Sequence, residues 1–252
     1  MTFTHWRPLI AAVLLSLSVP AGAVPPAPVI DGAAGFAAQW PAQGSAVFEV
    51  RHVGSGVVVG RSEHRWQHDG RQWRLKSVTE PAGLASLFSH ARAVQESRGI
   101  FVSGGLQPLE FRTEKNGKPK DSARFDPAAE SIELGNGKRV PMTGRTQDLL
   151  SLFYQLGAED LAQPRFTLAI TTGRKVASYE VVVRAIQMLD SGVGQHQVMP
   201  LHIVPAGDTE STERTEVWLD VANHLPVRIR YRDRKGDVFD QKLTSLELGK
   251  QK

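Results

Sequence analysis

From Ser45 onward, short runs of β-branched and aromatic residues alternate with turn signals about ten residues apart, the rhythm of an all-β chain. Pro226 to Arg232 has the cleanest period of two. Val227, Ile229 and Tyr231 point one way and Arg228, Arg230 and Arg232 the other, which predicts a strand with one buried and one wet face. The same alternation puts Trp73, Leu75, Ser77 and Thr79 on one face of a strand and Arg74 and Lys76 on the other. That strand, Arg71 to Glu80, pairs with Val57 to Gln67 across Asp69-Gly70, a dipeptide suited to the positive φ angles of a type I′ turn. Asn116-Gly117 and Asn136-Gly137 separate meander strands at Leu109 to Glu114, Ser122 to Asp126 and Ser131 to Leu134. The second half predicts strands at Arg165 to Thr171, Val176 to Ala185, Gln197 to Val204, Thr212 to Val221, Pro226 to Arg232 and Val238 to Leu246.

One segment breaks this period. Thr146 to Leu156 reads as a helix in which Thr146 caps, Asp148 sits in the first turn, Leu149, Leu152, Phe153 and Leu156 form an apolar stripe, and Gly157 ends it. Two runs of strands around one helix predict a mainly β fold: a large twisted antiparallel sheet, open or a half barrel, with the helix inserted into its core.

The amino terminus follows a different pattern. Arg7 and the free amine precede an uncharged run from Leu9 to Val19, and Ala21-Gly22-Ala23 follows Pro20, the order of a signal peptide cleaved after Ala23. As a helix that run rises only about 16 Å, against roughly 30 Å of hydrocarbon core. A Pro-, Ala- and Gly-rich leader over 24–43 then precedes a single β-rich domain over 44–252. The chain has no cysteine, which excludes a lipoprotein anchor, disulfides, thiol catalysis and zinc-thiolate sites. A disulfide-free exported chain of this size suits a bacterial periplasm. Its 30 basic and 26 acidic residues are dispersed, so nucleic acid is not an expected partner.

Candidate chemistry is sparse. His64 and His68 lie on a strand, where four positions separate side chains by about 13 Å, too far to share one metal ion. His196 and His202 fail likewise. No Gly-x-Ser-x-Gly turn or phosphate loop occurs, so neither an enzyme nor a cofactor is expected. Asp148, Ser151 and Tyr154 form a polar row on the predicted helix, with Asp148 read as a first-turn charge. Two features remain as binding candidates. Pro81 to Phe88 is an apolar segment that either packs in the core or forms a flap, its Leu84, Leu87 and Phe88 bordering an apolar cavity with Trp73 and Leu75. Arg228, Arg230 and Arg232, extended by Arg234 and Lys235, form a basic row, read either as a solvated strand face or as a contact for anionic headgroups.

Several strings occur in an order that resembles the exported bacterial proteins grouped as domain of unknown function 3108: Glu80-Pro81-Ala82-Gly83-Leu84, Glu96-Ser97-Arg98-Gly99, Gly105-Leu106-Gln107-Pro108, Phe125-Asp126, Thr146-Gln147-Asp148-Leu149-Leu150-Ser151 and Leu225-Pro226-Val227-Arg228-Ile229. The resemblance runs from about Gly44 to Leu248. It implies an envelope protein with a largely antiparallel β fold and brings no catalytic residue. A curved sheet with an inserted helix is also similar in outline to periplasmic lipoprotein carriers. The expected function is therefore a non-enzymatic module binding an apolar or amphipathic, lipid-like ligand in the sheet's concavity. The alternative is an envelope assembly or protein-interaction factor, with a filled core and an exposed patch.

Overall fold

The computed structural model describes residues 40–87, 90–208, 211–233 and 235–249. The expected signal peptide, most of the leader, Phe88 and Arg234 lie outside them. A first meander comprises β1 (Gln43–His52), β2 (Val57–His68), β3 (Gln72–Pro81), β4 (Ala93–Val102), β5 (Gly105–Lys115), β6 (Lys118–Asp126), β7 (Ser131–Leu134) and β8 (Arg139–Pro141). A connecting segment carries β9 (Gln147–Asp148), a short helix α1 (Leu152–Gln155) and a 3-10 turn at Leu156–Ala158. The second meander is β10 (Arg165–Thr171), β11 (Val176–Val183), β12 (Gln187–Ser191), β13 (Gly194–Pro205), β14 (Arg214–Asp220), β15 (Pro226–Arg232) and β16 (Val238–Leu248).

All sixteen strands belong to one open sheet. The meanders join where β1 pairs antiparallel with β16, and β8 and β9 end the pairing order. β9 pairs with β10 in parallel. The expected strands over 131–134, 165–171 and 226–232 match β7, β10 and β15 residue for residue. β4 and β12 have no clear alternation of their own and become strands by pairing, β4 between β3 and β5 and β12 against β13.

The turns follow side-chain chemistry. At Asn116-Gly117 both residues take positive φ, 53° and 74°, as a type I′ turn requires. At Asp69-Gly70 only Gly70 does. There the Asp69 carboxylate accepts the N–H groups of Arg71 (2.8 Å) and Gln72 (2.7 Å), an Asx turn in place of the expected type I′ geometry.

The expected helix over 146–156 is largely replaced. Thr146 donates its hydroxyl to the Thr143 carbonyl instead of capping, and the next two residues join the sheet as β9. Asp148 Oδ1 then accepts the N–H groups of Leu150 (2.9 Å) and Ser151 (2.8 Å), turning the chain so that helical backbone begins only at Leu152. Gly157 falls inside the 3-10 turn, where a Cβ would stand 2.7 Å from the His224 carbonyl oxygen.

This segment fills the curl of the sheet. Leu150 and Tyr154 join the aromatic cluster of the first meander with Trp40, Phe48, Trp66 and Trp73. Leu152 and Leu156 join Leu168, Ile170, Val181 and Leu201 of the second. Leu149 and Phe153, partly buried, pack against both clusters. The polar residues of this segment are buried, so they need internal partners, and Gln147, Asp148 and Gln155 find them on β4 and β5. Ser97 donates to Asp148 Oδ2 at 2.5 Å, and Gln155 Oε1 accepts the Leu106 N–H at 2.6 Å. Among the described residues no helix is long and apolar enough to cross a membrane.

Candidate functional site

Of the five residues expected around an apolar cavity, the structure describes the side chains of Trp73, Leu75 and Leu87. Trp73 and Leu75 have the buried parity expected of them, at 1% and 2% exposure, but they are packed into the aromatic cluster, and the Trp73 indole N–H donates to the Ile100 carbonyl at 2.9 Å. Leu87 is 70% exposed. The backbone of its 3-10 turn, Gly83–Leu87, lies beside Val58 at the start of β2. The side chain of Leu84, like Phe88, is outside the described set. On the concave side, Trp73 and Leu75 pack in one cluster with Leu150 and Tyr154 of the connecting segment.

Two of the three arginines of the expected basic face are paired with carboxylates. Arg228 makes a bidentate pair with Asp240, through Nε at 2.7 Å and Nη2 at 2.6 Å. Arg230 lies 3.5 Å from Asp240 and 3.8 Å from Glu216. Both guanidinium groups cover the Trp218 ring, at 4.9 and 5.6 Å from its centre. Burial raises the Asp240 carboxyl, but its hydrogen bond from Arg228 and the charges of Arg228 and Arg230 outweigh that and leave it below the usual range. Arg232 alone of the three is exposed, and it stands opposite Arg214.

The polar row on the expected helix is internal scaffolding. Asp148, Ser151 and Tyr154 are buried, and the Tyr154 hydroxyl sits 3.2 Å from His64 Nδ1. Burial pushes the Asp148 carboxyl up, against the lowering effect of its three donors, Ser97, Leu150 and Ser151. Three of the strings that carry the family resemblance, Glu96 to Gly99, Gly105 to Pro108 and Thr146 to Ser151, meet here. A Cβ on Gly99 would meet the Gln107 carbonyl oxygen at 2.0 Å, and one on Gly105 would meet Gln155 Oε1 at 2.4 Å. Only glycine admits these approaches.

A second relay joins three strands. Ser191 Oγ lies 2.9 Å from His196 Nε2, and His196 Nδ1 lies 2.6 Å from Asp220 Oδ2. Asp220 Oδ1 accepts the Ala222 and Asn223 N–H groups. The Ser191 hydroxyl is also shared, accepting the Val193 N–H and lying 3.1 Å from the Gly194 carbonyl oxygen. The arrangement fastens the β12–β13 hairpin to the end of β14.

The open surface lies on the opposite, outward side of β1 to β5. A groove of about 850 Å³ is lined there by five basic side chains, Arg65, Arg74, Lys76, Arg98 and Arg112, and by the carboxylates of Glu96, Glu110 and Glu247. Cross-strand register arranges most of these in two rows. One is Ser45, Arg65, Lys76, Glu96 and Arg112, and the other is Gln67, Arg74, Arg98, Glu110 and Arg124. In the first, Glu96 takes Lys76 at 2.8 Å and Arg112 Nε at 2.8 Å, and these two cations hold its carboxyl below the usual range. Each row also sets like charges directly opposite one another, Arg65 facing Lys76 and Arg74 facing Arg98. Such pairs are destabilising in a sheet unless an anion lies near. Sequence reading had put Arg74 and Lys76 on the wet face of β3. It missed their juxtaposition with Arg65 and Arg98 because register between strands is not written in any one strand.

Fold and surface together define a class: an open antiparallel sheet curled over a short helical plug, with a solid core and a charged outer groove. The chain belongs to the family described as protein of unknown function (DUF3108), whose profile matches residues 47–244. No curated protein matches it. Among solved structures it is similar to the MucA/MucB complex of Pseudomonas aeruginosa at 14% identity, covering 85% of this chain and 56% of that one, with a TM-score of 0.32. It is similar to a protein of Bacteroides fragilis described as exported, with a YmcC-like fold, at 8% identity, 82% and 97% coverage and a TM-score of 0.31. It is also similar to a domain from Vibrio parahaemolyticus described as outer-membrane lipoprotein-sorting, at 10% identity, 86% and 91% coverage and a TM-score of 0.30. The chain thus spans little more than half of the chain it matches in that complex.

Proposed function

We propose that this protein is a non-enzymatic module of the bacterial envelope that engages an anionic or amphipathic envelope component on the outer face of its sheet. The observation that carries this reading is the contrast between the two faces. The concave side, where an acyl chain would have to enter, is packed with Trp40, Trp73 and Tyr154 at 3%, 1% and 2% exposure, whereas the outer side opens a groove of about 850 Å³ with more cations than carboxylates. That favours an interaction factor over a carrier that encloses its ligand. Export to the periplasm is supported by the charged, apolar and small-residue order of residues 7–23.

The test is a steric block that leaves charge alone. Ser45 stands in the groove opposite Arg65, and Ser45→Trp fills it there. Co-sedimentation of the protein with isolated envelope membranes should fall about tenfold, the equivalent of about 1.4 kcal/mol of lost contact. Unchanged co-sedimentation by a folded variant would remove the groove from the function. Stoichiometric uptake of a fluorescent fatty acid into the core would restore the carrier reading.

A further inference from the structure

We propose that Arg74, Arg98 and Arg124 form a binding site for a phosphate monoester on the outer face of β3, β4 and β6. This rests on the groove reading above and names the chemistry the groove recognises.

The sheet's register puts the three side chains in one row. Arg74 stands opposite Arg98, Arg98 opposite Glu110, and Glu110 opposite Arg124, each step being one strand spacing of about 4.8 Å. All four line a cleft of about 350 Å³, whose wall also includes Gln72 and Leu109. The carboxylate in that wall is already engaged, since Glu110 accepts Arg98 Nε at 2.5 Å. Arg74 and Arg124, both exposed, have no hydrogen-bond or ion-pair partner among the described residues. The cleft lining holds three arginines and one glutamate, a formal charge excess of two, with Glu133 of β7 opposite Arg124 outside that lining.

The chemistry follows from that excess and from the shape of the cations. A guanidinium presents a planar fork of donors that matches carboxylate or phosphate oxygens two at a time. A carboxylate carries one charge and two oxygens, so it satisfies one fork and leaves the second free arginine as it was. A phosphate monoester carries close to two charges at neutral pH and three acceptor oxygens. It can therefore lie between Arg74 and Arg98, relieving their like-charge opposition, while Arg124 closes on it from β6. Arg74 and Arg98 line both this cleft and the larger groove, so the rest of a phosphorylated molecule has a continuous path past Lys76 toward the exposed Leu248. A lipid headgroup and a soluble phosphate share this chemistry.

Binding of the purified, exported protein should be measured to inorganic phosphate, to glycerol 3-phosphate, and to phosphatidylcholine vesicles with and without phosphatidic acid. Binding to at least one phosphate probe and not to pure phosphatidylcholine is expected. Vesicle binding alone identifies a lipid headgroup as the source, and binding of the soluble probes as well identifies the phosphate group itself. Arg74→Glu with Arg124→Glu should weaken binding at least about tenfold. Because a Glu at 124 would face Glu110 and Glu133, the uncharged pair Arg74→Gln with Arg124→Gln is measured beside it and should also weaken binding while the melting temperature holds. Arg74→Lys with Arg124→Lys keeps the charge but loses the forks, and should bind between the parent and the double glutamate variant. The proposal is overturned if no phosphate probe binds or if the double glutamate variant binds as the parent does. If the phosphate arms fail while Ser45→Trp still abolishes envelope binding, the groove reading stands and the phosphate site falls.

Discussion

Replacing Tyr154 by Ala should destabilise the protein by about 3 to 5 kcal/mol, the range for truncating a fully buried aromatic side chain. Tyr154 is 2% exposed, and its ring packs against Trp40, Trp66 and His64, with centroids 5.4, 5.9 and 6.2 Å away. It binds the connecting segment to the first meander, so its loss opens a cavity between elements distant in sequence. Those neighbours belong to strands and cannot collapse far. Tyr154→Phe keeps the ring and loses only the contact with His64 Nδ1, and should cost about 1 kcal/mol. Phe153, partly buried beside it, should cost less than Tyr154 when cut to Ala. Urea unfolding of the three variants measures the order, and a Tyr154→Ala loss below that of Phe153→Ala would place the plug elsewhere.

Acidification should destabilise the fold through His64. This imidazole is buried among Phe48, Phe153 and Tyr154, and burial lowers its pKa from 6.5 to about 4. Between those values the unfolded chain binds a proton that the folded chain refuses. Stability therefore falls as pH drops from about 6.5 to about 4 and the His64 contribution levels off below that, a loss of about 3 kcal/mol at most. Asp148 acts in the opposite sense. Its raised carboxyl means that the folded state takes up a proton before the unfolded chain does, so protonation there favours the fold at low pH. His64→Phe should flatten the slope between pH 4 and 6.5 in equilibrium unfolding at several pH values. An unchanged slope would assign the acid sensitivity to another group.

The two effects meet at one place, where β2, β4 and β5 close over the Gln147–Gln155 segment, and sequence reading approached that place from two directions. It recognised the segment as special through its apolar residues, and it recognised the strings that include Ser97, Gly99 and Gly105. It took Asp148 for a first-turn charge, because an Asp just after a capping Thr and before an apolar run suits the helix dipole equally well. Whether its oxygens turn the backbone or face solvent depends on Ser97 donating from 51 residues away.

The alternation of side chains was enough by itself to determine that this chain is β-rich, where most strands lie, and which face of β3 is buried; on β15 it placed Val227 and Ile229 inward correctly, but Tyr231, expected beside them, is 40% exposed. Those properties are local: period two and turn chemistry act within about ten residues. Trp73 and Leu75 inward with Arg74 and Lys76 outward follow from a single strand. Everything that concerns the function depends instead on strand register, which is set by long-range pairing. Only the fold set Arg74 against Arg98, paired Arg228 with Asp240, and packed Tyr154 into the concave side opposite the open groove. A strand's sequence states which side chains face outward; the neighbouring strand decides what each of them meets.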